Sequence, residues 1–347
     1  MKTVLVLCLF IFFRVPQVYG FPQKEVRNAA VNTRTFTDSS GRQVEIPAEI
    51  KRISPSGVLA QVFLVSFAPD LLCSLSVPPT SVEKEFIPAL SLPVTGQFYG
   101  QGGFNPEEIA RLAPDCIIDI GDPKTGIASD MDGITTATGI PVIHITAGTR
   151  STPDAFRTLG KLLAREEKGE LLAAYCEKVL FLADTVSQRA VSRKTALFCT
   201  GRSGMNVLAK GSFHSEIFDW FVDNLAVVHN PSARATGNET NPEQLLLWDP
   251  QVVIFGPDTV FSGENDPLWG QLRAIKNRQY FKTPEGPYNW MGAPPSINRY
   301  LGILWIAKQL YPQFADYDLY AECKEYYELF YGYALSRQRF EQLTERR

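Results

Sequence analysis

The chain has 347 residues, 45% apolar and 20% charged side chains, and a formal net charge of −3. At roughly 150 residues per domain that is enough for two cores, and the composition excludes a disordered, collagen-like or coiled-coil chain. A mildly acidic balance also argues against nucleic acid as a partner, because phosphates demand a basic surface.

Residues 1–20 read as a signal peptide. Lys2 supplies the positive start, Val4–Phe13 is an unbroken apolar run, and Arg14 and Pro16 close it. Val18-Tyr19-Gly20 offers the small residues of a cleavage site. The apolar run spans about 15 Å as a helix, half a bilayer core, too short for an anchor. Cys8 lacks the small residues that precede a lipid-attachment site. The expectation is therefore an exported, periplasmic monomer, with a lipid-anchored form as the alternative. Cys73, Cys116, Cys176, Cys199 and Cys323 remain, an odd number without CxxC spacing. That is not a disulfide framework; most read as small buried hydrophobes, and a single disulfide is compatible but unassignable.

In chain order, Phe36–Ser54 reads as two alternating strands around an Asp-Ser-Ser-Gly turn. Ile53 and Val62–Phe67 open a first α/β lobe spanning 21–150, and Gly139–Ile145 is its last strand. Thr152-Pro153-Asp154 starts a helix, and Leu171 to about Val191 continues with one apolar face. This helical stretch, 151–192, is expected to bridge stiffly to a second α/β lobe, 193–347. There Lys194–Cys199 is the first strand, a helix begins near His214, and Leu225–Val228 follows.

An internal repeat joins the two lobes. Residues 105–122 read NPEEIARLAPDCIIDIGD and residues 241–258 read NPEQLLLWDPQVVIFGPD. Asn105/Asn241, Pro106/Pro242, Glu107/Glu243, Pro114/Pro250, Ile118/Ile254 and Asp122/Asp258 are identical. Each copy explains itself: Asn caps a helix, Pro fits the first position, Glu favours the positive helix end. A second Pro then stops the helix before a short apolar strand. The reading is α/β, with two similar lobes, each a mainly parallel sheet flanked by helices, and a ligand cleft between them.

Three segments in order carry a resemblance over nearly the whole chain beyond residue 20: the opening hairpin, the helix–strand repeat, and GPYNWMGAPPSINRYLGILWIAKQLYP at Gly286–Pro312. They resemble substrate-binding proteins that serve ABC importers of iron–siderophores, haem and cobalamin. The resemblance implies binding rather than catalysis. A metal chelate, a ferric siderophore first and cobalamin, haem or a nickel chelate as alternatives, would be captured in the cleft without a resident cofactor and passed to the permease. It further implies that Glu107 and Glu243 dock on permease arginines, and two equivalent glutamates on two lobes suit a two-fold partner without it.

Ligands of such folds lie against loops at the carboxyl ends of strands. Gln97–Phe104 is Gly-rich, with Phe98 and Tyr99 placed to stack on a flat chelate. Arg202, in Gly201–Gly204, would pair with an anionic chelate. Tyr288 and Trp290 stand before Pro294-Pro295 at the expected cleft edge. Of the three histidines, His144 and His229 read as structural and His214 as the candidate ligand contact. No protein metal site is expected.

The reading from another class is an exported α/β hydrolase. Gly201-Arg-Ser-Gly-Met205 misses G-x-S-x-G by one position. Gly121–Gly126 imitates a phosphate loop, but Ile127-Ala128 replaces the Lys-Ser/Thr. The Tyr-rich tail (Tyr311 to Tyr333) is expected to pack a terminal helix on the second lobe.

Overall fold

A computed structural model describes residues 32–87, 90–99, 103–261, 263–292, 294 and 296–345. The expected signal segment, residues 1–20, lies outside the described residues.

Strands β1 (Thr33–Thr37) and β2 (Gln43–Pro47) form the antiparallel hairpin. Asp38 closes its turn by accepting from the Ser40 and Arg42 backbone N–H groups. Next come β3 (Ile53–Pro55), α1 (Val58–Phe67), α2 (Ser81–Phe86), α3 (Pro106–Leu112), β4 (Cys116–Gly121), α4 (Ile127–Thr138) and β5 (Val142–Thr146). The first-lobe sheet is β3-β4-β5, all parallel. Strands β4 and β5 are buried on both faces and mostly apolar, apart from Asp119 and His144. The Val62–Phe67 stretch is the core of α1, buried on nearly every side.

Helices α5 (Thr152–Leu163) and α6 (Glu166–Arg189) follow, and α6 is the single long helix that the apolar spacing predicted. Gly169 makes the α5–α6 crossing possible: a Cβ there would lie 2.7 Å from the Phe156 carbonyl oxygen.

The second lobe contains β6 (Lys194–Thr200), β7 (Asn206–Val207), α7 (Glu216–Asp219), β8 (Val222–Asn224), β9 (Asn238–Glu239), α8 (Pro242–Trp248), β10 (Val252–Phe255), α9 (Arg273–Lys276) and β11 (Tyr280–Lys282). Parallel β11-β10-β6 form its centre, β8 extends β6 in parallel, and β7 and β9 add an antiparallel edge. The strand expected near Leu225–Val228 sits earlier, at β8, and the helix near His214 is the short α7. His229 is exposed in the loop beyond β8 rather than structural. Helices α10 (Arg299–Leu310), α11 (Leu319–Tyr331) and α12 (Arg337–Thr344) complete the chain.

The tail extends an expectation. It does pack on the second lobe, Tyr311 donating to the Phe221 carbonyl and Tyr326 and Tyr331 to Asn298, but α11 and its neighbours also return to α6 and the first lobe. Phe330 meets Phe156 edge-on with ring centres 5.7 Å apart, and Phe86 lies against Tyr327 and Tyr333. Lys178 of α6 pairs with Glu322 and Glu325, and Arg339 pairs with Glu85. One apolar cluster therefore runs from α1 and α5 through α6 into α10 and α11. All five described cysteines are buried free thiols. No described helix is long and apolar enough to cross a membrane.

Candidate functional site

The carboxyl ends of β3 and β4 open onto a cavity of about 420 Å³. The first lobe supplies most of its wall: Ser56–Ala60, Gln97, Tyr99, Asp119–Asp122, Lys124 and Ile127. Phe213 and Ala233 close it from the second lobe, so the cavity lies between the two.

Three local features set its electrostatics. First, α1 starts at Gly57 without any side-chain cap and without an acidic residue in its first turn. Its first backbone N–H groups have no helical acceptors, and they carry the positive end of the helix dipole to the cavity wall. Second, the Asp119 carboxylate is already engaged. Ser56 Oγ donates to it, and so does His144 Nδ1 at 2.7 Å, while His144 Nε2 accepts from Thr146 Oγ1 at 3.3 Å. Third, the Lys124 ammonium sits 4.0 Å above the Tyr99 ring, whose hydroxyl donates to Asp130 at 2.5 Å. Burial and Asp130 push the Tyr99 phenol up, so it stays a donor. Burial, and after it Glu216, pushes the Asp122 carboxyl up and favours its neutral form. The balance suits a ligand that presents negative charge to the first lobe.

At the back, Arg299 at the start of α10 is only 3% exposed. Its Nη1 donates to Thr149 Oγ1 at 3.0 Å and Glu216 Oε2 at 2.7 Å, and its Nη2 donates to the Phe213 carbonyl. The guanidinium lies 4.7 Å from the Phe213 ring centre. Burial lowers its pKa from the ordinary value, against the pull of Glu216 and Asp122.

Of the residues expected from sequence, Tyr99 lines the cavity. Phe98 does not; it packs edge-on against Tyr99 and Phe104 and braces the loop. Trp290 has 0% exposure, donates from Nε1 to the Gly286 carbonyl, and belongs to the main core. Gly302 of α10 permits this: a Cβ there would lie 2.0 Å from the Trp290 carbonyl oxygen. Tyr288 is also buried. Both were expected at the cleft edge, and the packing of their loop beneath α10 removes them from it. His214 is buried as well: its Nδ1 donates to the Gly292 carbonyl at 2.6 Å, and its Nε2 faces the Ala233 carbonyl at 3.3 Å. Packed between these carbonyls it does not line the cavity, and its neighbour Phe213, 39% exposed, does so instead. Arg202 is exposed and lines neither lobe's cavity, although Gly201 beside it lines one of about 270 Å³ in the second lobe with Asp258, Glu285 and Asn289.

Glu107 and Glu243 are exposed at the second positions of α3 and α8. Among the described residues neither forms an ion pair. Sequence reasoning missed Phe213, Asp122, Lys124 and Arg299. Lys124 and Asp122 lay in plain view inside Gly121–Gly126, the stretch set aside as a failed phosphate loop. Among the described residues no group of three or more His, Cys, Asp or Glu is arranged to hold a metal ion.

The sequence pattern of the family described as periplasmic binding protein matches residues 78–287. The chain belongs to that family. The binding protein is 25% identical over 332 residues to the molybdate-binding protein MolA of Haemophilus influenzae, spanning 87% of this chain and 92% of that one. It is 26% identical over 181 residues to the Fe(3+)-citrate-binding protein YfmC of Bacillus subtilis, spanning 51% of this chain and 56% of that one. A solved ABC transporter solute-binding protein from Sulfurospirillum deleyianum superposes with a TM-score of 0.78 at 26% identity, covering 89% of this chain and 98% of the other. The binding protein is thus a transport solute-binding protein of two α/β lobes and not an enzyme.

Proposed function

We propose that the binding protein captures an anionic ferric chelate, of the siderophore or hydroxycarboxylate class, in the inter-lobe cavity and delivers it to an ABC importer from the periplasm. The observation that carries this reading is the uncapped start of α1, opening with Lys124 onto a cavity of about 420 Å³. That size suits a small chelate. The Fe(3+)-citrate relative supports the class. Haem and cobalamin are disfavoured because Lys124 already covers the Tyr99 face on which a macrocycle would stack. Delivery would use Glu107 and Glu243 as acidic contacts for basic permease side chains, setting orientation and on-rate more than affinity.

A second reading is a bare tetrahedral oxyanion. It is supported by MolA, matched over 87% of this chain, and by the same helix terminus, which favours any compact anion. Native mass spectrometry of the isolated protein, followed by tryptophan-fluorescence titration with ferric citrate, a ferric catecholate and molybdate, separates the two. One-to-one binding of a ferric chelate is expected. Tight binding of molybdate alone would replace the first reading with the second.

A further inference from the structure

Beside the uncapped start of α1, the cavity holds a polar pair whose hydrogens are already committed. Ser56 and Asp119 both line it, and the Asp119 side chain keeps 6% of its surface exposed. Ser56 spends its backbone groups away from the cavity: its N–H donates to the Ile118 carbonyl, and its carbonyl accepts from the Phe98 N–H. Its one hydroxyl proton goes to Asp119 Oδ1. His144 Nδ1 donates to the other carboxylate oxygen at 2.7 Å. His144 is held in turn by Thr146 Oγ1 at Nε2 and by Asp38, which accepts from its backbone N–H at 3.2 Å. The side-chain protons of this chain therefore all run toward Asp119. What Ser56 Oγ and the carboxylate have left to offer is lone pairs. After burial and Asp130, Asp119 also helps to push the Tyr99 phenol up, so its charge reaches the aromatic wall of the cavity.

We propose that Ser56 and Asp119 set the specificity of the cavity: as an acceptor-only pair, they select a ligand that carries a hydrogen-bond donor beside its negative charge. That donor is an alcohol, a protonated carboxyl or a metal-bound water. The start of α1 and Lys124 supply donors to the anionic oxygens. Next to them, Ser56 Oγ and Asp119 accept from the ligand's hydrogen. A bare oxyanion such as molybdate has only acceptors at neutral pH. It meets the pair lone pair against lone pair and leaves it unmatched, which is how polar sites reject a ligand of the right size and charge. His144 and Thr146 are positioning residues, holding the carboxylate so that the Ser56 proton stays turned away from the ligand. The inference rests on the anionic-chelate reading above and deepens it, by naming a group the chelate must carry.

The test uses the purified protein with two probes: ferric citrate, whose hydroxyl, carboxyl and iron-bound water groups can carry hydrogens, and molybdate, which carries none at neutral pH. Affinities come from calorimetry, and fold from thermal melting without probe. Wild type should prefer ferric citrate at least tenfold. In Asp119→Asn the new amide donates to Ser56 Oγ and frees the Ser56 proton for the cavity. Ferric citrate should then weaken about tenfold, the scale of one hydrogen bond to a charged group, and molybdate should strengthen. Lost packing alone does not move the two probes in opposite directions. Ser56→Ala removes an acceptor without supplying a donor, so it should weaken ferric citrate and leave molybdate unchanged. It carries the test if Asp119→Asn melts early. If the folded variants change both probes by the same factor, or change neither, the pair is structural and the selection rule is overturned while the chelate reading stands. If wild type binds molybdate alone, or neither probe, the chelate reading itself fails and the rule goes with it.

Discussion

The two copies of the helix–strand unit fold alike and end differently. Asn105 and Asn241 cap α3 and α8 through the Glu108 and Gln244 N–H groups at 3.1 and 2.8 Å. Each helix ends in a left-handed residue, Ala113 or Asp249, before Pro and an inner parallel strand. Beyond the strands the copies part. Asp122 opens onto the cavity walled by the start of α1 and Lys124, whereas Asp258 lines a smaller cavity with a second carboxylate, Glu285. The outer helix faces diverge too: Arg111 pairs with Glu108 on α3, while Leu246 and Leu247 stand exposed on α8. A shared unit builds the scaffold and the glutamates; the loops after it give the two lobes differently charged cavities.

The sharpest way to break the likeness is at its shared glutamates. Glu107→Lys with Glu243→Lys should abolish uptake in cells while leaving calorimetric ligand affinity unchanged. A loss of affinity would put these residues in ligand binding and end the docking reading. Next comes the contrast between core and cavity aromatics. Trp290→Ala should cost about 3–5 kcal/mol of unfolding free energy in urea, since it empties a fully buried site. Phe213→Ala should instead cost about 1–2 kcal/mol of binding with little change in melting. Equal stability losses for both would contradict their assignment to different environments.

Charge in the two cavities gives a smaller, pH-dependent test. The folded carboxyl of Asp122 is pushed up, so its neutral form gains as pH falls from neutral toward that raised value. Affinity for an anion should therefore rise over that range and fall back above it, and Asp122→Asn should flatten the profile. A flat wild-type profile would remove Asp122 from the balance. The smallest expected effect is at the caps. Asn105→Ala and Asn241→Ala should each cost about 1 kcal/mol in thermal or urea unfolding. Matching losses would show the repeat to be energetically as well as geometrically duplicated.

The elements were legible wherever one residue type answers one local demand: Asn and Pro at helix starts, Gly at turns, and the apolar stripe of α6. The site was less so. His214 and Phe213 are adjacent, and nothing in their spacing says which faces a cavity. Trp290 drew notice because aromatics suit clefts, but aromatics suit cores equally, and Gly302 on another element settles the matter by admitting the Trp290 backbone. Arg299 carries no local signal, because Thr149, Glu216 and Phe213, which surround it, lie far off in the chain.

By itself the sequence determined two α/β lobes, the duplicated unit with its paired glutamates, and a long connecting helix, because caps, stops and periodicity act over a few residues of chain. Only the tertiary structure decided that the Tyr-rich tail also reaches the first lobe, that Trp290 is core, and that Asp122, Lys124 and Phe213 line one cavity while Arg299 lines the small chamber beside it. Those outcomes depend on which distant side chains compete for the same buried space, and local spacing carries no record of that competition.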